Sequence, residues 1–138
     1  MCIRDRFLRP KPCPVFGARN NKGVVLLNRL RLGFSHLNEH KFRHGFRDTL
    51  DPFCACRTNS IENTQHFLLH CSIYSLARNL LFNKLQTLEL NIYPLSPSKL
   101  FNLLLYGDPN LVLNTNNAIL NSTIEFILAS ERFSGRLF

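Results

Sequence analysis

The sequence predicts a mainly α-helical chain, and three observations support this fold class. Leucine and isoleucine recur every three or four residues in several segments, which is the spacing of one helix face. No segment shows the sustained alternation of apolar and polar residues that indicates a strand. Hydrophobic residues make up 45% of the 138 residues, which is enough for one folded domain.

The N-terminal residues form two segments that we expect to lie outside the helical fold. Residues 1–6 match the in-frame translation of a transposase end sequence that serves as a sequencing adapter. We expect an adapter artefact here and a longer parent protein, the alternative being a genuine start that matches by chance. Residues 7–21 contain Pro10, Pro12 and Pro14 and predict an extended linker.

Residues 22–50 form a segment that we call the basic segment. Apolar residues at helical spacing predict a helix over residues 22–33, with Gly33 as its end. Ser35 is expected to cap a second helix over residues 36–46, because serine is a favoured N-cap.

Residues 51–74 form the Cys/His turn, and residues 75–138 form the helical tail. Thr64 is a candidate N-cap for a short helix over residues 65–70. Three further helices are expected over residues 74–90, after the Ser96-Pro97 cap, and over residues 116–133. The positions assigned to their apolar faces are Leu76, Leu80, Leu81, Leu85 and Leu88, then Leu100, Phe101, Leu103, Leu104 and Leu105, then Leu120, Ile124, Ile127 and Leu128.

The Cys/His turn carries the spacing Cys54-x-Cys56-x9-His66-x4-Cys71. Zinc takes four tetrahedral ligands, and thiolate and imidazole are its usual ligands in structural sites. The pattern therefore predicts a small helical domain with a zinc-clasped Cys-Cys-His-Cys turn. His70 is a competing ligand, although it directly precedes Cys71 and could not easily share one ion with it. The alternative is three buried free cysteines and a surface histidine.

Charge is divided unevenly along the chain. Residues 1–57 hold 12 Lys and Arg against 4 Asp and Glu, whereas residues 58–138 hold 5 of each. This asymmetry favours a polyanionic partner, with a solubilising surface as the alternative. The side chains expected to contact nucleic-acid phosphates are Arg29, Arg31, Lys41, Arg43 and Arg47.

Other classes of function have less support in the sequence. His36, His40 and His44 recur every fourth residue, which indicates a polar face or, less favourably, a second metal site. Acidic residues are scattered singly, so we expect no catalytic centre. No apolar run is long enough for a membrane span, and the odd number of cysteines favours an intracellular, reducing location.

Two stretches together resemble the C-terminal region of non-LTR (LINE-type) retrotransposon reverse transcriptases. The first is the leucine- and arginine-rich run at residues 26–37. The second comprises Cys54, Cys56 and residues 64–74, which resemble the family's Cys-Cys-His-Cys module. Many relatives have two residues between the first two cysteines, whereas this chain has one.

The resemblance implies binding of template RNA or target DNA, in the nucleus and cytoplasm, as the tail of an RNA-directed DNA polymerase. Upstream polymerase domains of the parent polyprotein would be partners. The polymerase's paired aspartates are missing from these residues, so this fragment is not expected to be an enzyme. Two alternatives remain, namely a structural zinc-clasped tail that packs on the polymerase body and an inactive element remnant.

Overall fold

The computed structural model describes residues 21–56 and 58–133, and it confirms a mainly helical fold. In the part of the chain so described, sheet-like pairing is limited to one antiparallel bridge between Phe53 and Ile61. The predictions for residues 1–20 and for the C-terminal residues 134–138 lie outside the described ranges. The helices are α1 (Asn21–Leu32), α2 (Asn38–Arg43), α3 (Ser75–Thr87), α4 (Pro97–Tyr106) and α5 (Leu113–Ser130), with a π-helical turn (His66–His70) and a 3-10 turn (Ser72–Tyr74) before α3.

Helix α5 is the centre of the core, because α1, α3 and α4 all pack against it. Ile119, Ile124 and Ile127 of α5 are fully buried. Gly23 lets α1 lie close to α5. A Cβ atom added at this position would lie only 2.3 Å from Cγ2 of Ile124. Among the helices of residues 21–133 that the structure describes, none is long and apolar enough to cross a membrane.

An aromatic cluster joins the Cys/His turn to the helical tail. The ring of Phe67 is fully buried and lies 5.1 Å from Tyr74, 5.3 Å from Phe126 and 5.6 Å from Phe133, centroid to centroid. Edge-to-face and tilted contacts at these distances are favourable beyond the area that they bury. The Cys/His turn is therefore anchored to the same core that α5 organises.

The first helix follows the prediction, but the second does not. Helix α1 ends before Gly33, whose φ of +76° is a left-handed conformation that suits glycine. Helix α2 has six residues instead of the expected span 36–46, and Ser35 is not its cap. The Ser35 hydroxyl instead accepts from the backbone N–H of Leu37 and contacts the buried imidazole of His40, which holds Ser35 outside the helix.

The short helix after Ile61 begins with a different cap from the one predicted. Thr64 is not the N-cap, because its hydroxyl donates to the backbone oxygen of Leu30 in α1. The side-chain oxygen of Asn63 accepts from the backbone N–H of His66 and takes the capping role. Thr64 thus ties the Cys/His turn to α1.

Helix α3 buries only part of the predicted apolar face. Leu81 and Leu85 are buried, but Leu76 and Leu80 are 80% and 62% exposed, and Arg78 occupies the buried face. The helix ends at Thr87 rather than residue 90, and Glu89 has a φ of +63°. Leucines lie on more than one side of this helix, so the packing of α5 decides which of them are covered.

The last two helices agree better with the sequence. Ser96 caps α4 by accepting from the backbone N–H of Lys99, with Pro97 at the first helical position, as predicted. Helix α5 spans Leu113–Ser130 instead of residues 116–133. It ends at Glu131, whose φ of +54° departs from the right-handed helix.

Candidate metal centre

The structure brings four predicted ligand side chains into one cluster, namely Cys54, Cys56, His66 and Cys71. One ligand atom from each residue lies within 4.8 Å of all the others. The sulfur atoms of Cys54 and Cys71 are 3.5 Å apart, and the Cys56 sulfur is 3.4 Å from Nε2 of His66. His70, the competing ligand, is exposed and is not part of the cluster.

The size of this cluster fits a tetrahedral metal ion. Bonds of about 2.3 Å to sulfur and about 2.0 Å to nitrogen place tetrahedral ligand atoms about 3.5 to 3.8 Å apart. The two short separations, at 3.5 and 3.4 Å, lie close to these edges. Cys54, His66 and Cys71 are buried, and Cys56 is half-buried. A Cys3His cluster that could hold a metal ion is thus present.

Backbone hydrogen bonds close the loop that carries the first two cysteines. The N–H of Cys54 donates to the oxygen of Ser60 over 2.8 Å, and the N–H of Glu62 donates to the oxygen of Pro52 over 2.8 Å. These bonds close a narrow antiparallel turn. Cys54 and Cys56 lie within this turn, and the sulfur atoms of both belong to the cluster. The π-helical turn carries the other pair, and the N–H of Cys71 donates to the oxygen of His66 over 2.8 Å.

Arg78 holds the π-helical turn in place, and no local sequence pattern indicates this role. Its guanidinium donates to the backbone oxygens of Leu68, Cys71 and Phe67 over 2.8, 2.7 and 2.9 Å. These carbonyls end a helical turn and would otherwise be buried without donors. A divalent ion with three thiolates and a neutral histidine carries one net negative charge, which this buried cation would offset.

Glu62 and Arg132 connect the Cys/His turn to the end of α5 and to the start of α2. Arg132 at the end of α5 makes two 2.9 Å contacts with the buried Glu62 carboxylate and also donates to the backbone oxygen of His36. The same carboxylate accepts from the backbone N–H of Asn38 at the start of α2. Neither residue was predicted to matter, because only folding brings positions 62 and 132 together.

The pKa values of the ligand groups shift in the directions that their surroundings require. Burial raises the pKa of the Cys54 thiol to about 12 and also raises the pKa of Cys71. A hydrogen bond with Thr58 lowers the pKa of Cys56, and burial lowers the pKa of His66. The imidazole is therefore neutral at pH 7 and has a lone pair for a metal ion, and metal binding would displace thiol protons.

The predicted phosphate-binding residues lie in different settings on the basic segment. Arg31 donates to the backbone oxygen of Leu105 over 2.7 Å and lies over the ring of Tyr106, so it supports the end of α4. Lys41 pairs with Asp48 at 3.3 Å, and Arg43 pairs with Glu39 at 3.3 Å. The remaining two are Arg29, which is half-buried, and Arg47, which is exposed.

The three histidines of the basic segment do not share one polar face. His40 is only 3% exposed, and its ring accepts from the backbone N–H of Ser35 and contacts Thr64. Burial lowers the pKa of His40, which favours the neutral ring. His44 is exposed and stacks on Phe34. In the described ranges, the cluster of the Cys/His turn is the only group of three or more His, Cys, Asp or Glu residues that could hold a metal.

Comparison of the chain with protein-family models, curated protein sequences and solved structures found no match.

Proposed function

We propose that Cys54, Cys56, His66 and Cys71 bind one zinc ion and that the domain binds nucleic acid through its basic segment. The observation that carries the first part is the Cys3His cluster, whose four ligand atoms lie within 4.8 Å of one another. Three thiolates and one imidazole suit zinc, because softer ligands exclude magnesium and calcium. A closed site with four protein ligands leaves no position for a substrate, so the ion has a structural role.

The proposed nucleic-acid binding rests on the positive charge of the basic segment. Between residues 22 and 47 the chain has six Lys and Arg residues against one acidic residue. The Cys/His turn supports this surface directly, since Thr64 bonds to α1 and Glu62 bonds to the start of α2. Zinc would hold the basic segment in a fixed orientation, and its side chains would contact phosphates.

The resemblance to non-LTR retrotransposon reverse transcriptases gives this proposal its biological setting. The chain would be a non-catalytic tail that helps the parent polymerase to hold template RNA or target DNA. A structural role is the second candidate, and the exposed leucines Leu76 and Leu80 on α3 favour it, because they could pack on a polymerase body. An inactive element remnant would share the same fold and give no binding.

A salt titration separates the binding role from the structural one. Phosphate contacts release counterions, so affinity should fall steeply as salt concentration rises. Arg43→Ala and Lys41→Ala should each make the slope of log affinity against log salt shallower by about one unit, and weaken different sequences equally. The targets are single-stranded RNA and duplex DNA, and the double variant should show the sum of both changes.

Lys99→Ala is the matched control, because Lys99 is an exposed lysine of the helical tail and lies outside the basic segment. It should leave both affinity and slope unchanged. Wild-type affinity and slope in the double variant would show that the basic segment is only solvated. The structural tail would then be the preferred function.

A further inference from the structure

A cavity of about 420 Å³ opens in the basic segment, between the end of α1 and the residues that follow α2. Its walls combine aromatic rings with a basic side chain, namely Phe34, His36, His44, Phe46 and Arg29. It lies outside the metal cluster, with which it shares no residue. Its volume lies within the range of about 300–1,000 Å³ that small-molecule sites occupy.

The rings of this cavity form two pairs. Phe34 and His44 are stacked, with centroids 4.1 Å apart and planes 12° from parallel. His36 and Phe46 meet edge to face at 6.1 Å. Phe34 is 60% exposed and Phe46 is 44% exposed, so much of each ring faces solvent. Exposed aromatic rings at this density are unusual unless they meet a ligand.

Hydrogen bonds to Gly33 hold the two walls together. Arg43 donates to the backbone oxygen of Gly33 over 2.9 Å, and Nε2 of His44 lies 3.2 Å from the same oxygen. A Cβ atom on Gly33 would lie 2.6 Å from the Arg43 guanidinium, so a larger residue would displace that guanidinium from its hydrogen bond. The backbone N–H of Phe34 also donates to the oxygen of Arg29 over 3.0 Å. The cavity is therefore built by the fold.

We propose that this cavity receives one unpaired base of a single-stranded nucleic acid, which stacks on Phe34 and contacts Phe46. The inference rests on the proposed nucleic-acid binding and names the kind of strand that is bound. Proteins that bind single strands combine a basic surface along the backbone with aromatic rings on which bases stack. The basic segment combines exposed aromatic rings and basic side chains between residues 29 and 47.

The positive charge beside the cavity favours an occupant that carries a negative charge over a wholly apolar ligand. Arg29 lines the cavity, and Arg47 follows Phe46 directly in the chain. A nucleotide offers a flat ring for the aromatic walls and a phosphate for these cations. Bases within a duplex are already stacked on both faces, so a duplex would meet only the cations and would not enter the cavity.

The test uses the zinc-loaded full chain and a short oligonucleotide with one 2-aminopurine, whose fluorescence falls when it stacks. DNA and RNA versions of the strand distinguish the two sources of the base, and a duplex of the same sequence is compared with them. Phe34→Leu and Phe46→Leu keep an apolar side chain and remove the ring. Each should weaken single-strand binding about tenfold and abolish the fluorescence change, with duplex binding and the salt slope unchanged.

Two control variants keep the test specific. Phe42→Leu removes a ring that is 49% exposed but does not line the cavity, and it should bind as the wild type does. Phe34→Tyr should restore single-strand binding, because it restores a flat ring. Unchanged zinc content and thermal unfolding of each variant would show that its fold is intact.

The outcomes distinguish this inference from the function on which it rests. Salt-dependent binding by the wild type, with no fluorescence change and no effect of Phe34→Leu or Phe46→Leu, overturns the cavity alone. Equal loss of single-strand and duplex binding in both variants also overturns it. A wild type that binds no nucleic acid overturns both proposals.

Discussion

The Cys/His turn and the helical tail are stabilised by different kinds of interaction. In the tail, α3 and α4 pack on α5 through fully buried side chains such as Leu85, Leu104 and Ile124. The turn has only short helical elements, and buried polar groups hold it in place together with the rings packed around Phe67. Its principal bonds come from Arg78 to three backbone oxygens and from the Glu62 carboxylate to Arg132 and Asn38.

The difference shows how a small domain orders a segment that has little regular secondary structure and several buried polar groups. Burial of apolar area stabilises the tail without help from a ligand. The turn must bury thiols, an imidazole and two charged side chains, and each of these has a desolvation cost. A bound metal ion would offset that cost, so the two regions should respond differently whenever the ion, a charge or a core contact is removed.

Removal of the metal should have the largest effect and should separate the two regions. Small structural zinc sites contribute on the order of 10 kcal/mol at neutral pH. We expect a chelator to abolish protection from amide hydrogen exchange over residues 53–71, while most of α5 stays protected. Uniform loss of protection in both regions would show that the turn and the tail form one cooperative unit.

Arg132→Ala should give the next largest effect, because Arg132 bridges the two regions. It would leave the buried Glu62 carboxylate without its cation, and breaking such a pair typically costs about 3–5 kcal/mol. Chemical denaturation of the zinc-loaded protein measures this loss. Arg132→Lys is the control and should recover only part of it, since lysine cannot make both contacts. A loss below about 1 kcal/mol would mean that the pair behaves as an exposed one.

Gly23→Ala should weaken the packing of α1 on α5 even though alanine is the better helix former. Alanine gains about 1 kcal/mol in a helix. Here its Cβ would press on Ile124, and overpacking of this kind costs about 1–3 kcal/mol. A double-mutant cycle with Ile124→Ala should show that the two substitutions together cost less than their sum. A stabilising Gly23→Ala would show that α1 and α5 can move apart freely.

Lys84→Ala should have the smallest effect on the free energy of unfolding among these substitutions. Lys84 pairs with Glu125 across α3 and α5, and both side chains are at least half exposed. Exposed pairs contribute about 0–1 kcal/mol because water screens them. The midpoint of thermal unfolding should therefore shift by no more than a few degrees.

Local patterns predicted the members of the Cys3His cluster and most helices, because both depend on residues close in the chain. The Ser96-Pro97 cap and the end of α1 at Gly33 are of this kind. Contacts between distant residues were not predictable in the same way. Arg78 was given no role, and Leu76 and Leu80 were assigned to the apolar face of α3, because only the packing of α5 decides which face of that helix is buried.

The two wrong caps have a similar cause. Serine and threonine are favoured N-caps, so the sequence alone favoured Ser35 and Thr64. In the fold their hydroxyl groups contact other elements, His40 for Ser35 and the oxygen of Leu30 for Thr64. Tertiary hydrogen bonds therefore overrode local preference at both positions.

Metal analysis of purified protein tests the central claim most directly. We predict about one zinc ion per chain in the wild type and none in Cys56→Ser. His70→Ala is the matched control and should retain its zinc, because His70 is exposed and lies outside the cluster although it precedes Cys71 in the chain. Equal zinc in the wild type and Cys56→Ser, or loss of zinc in His70→Ala, would contradict the assignment of the four ligands.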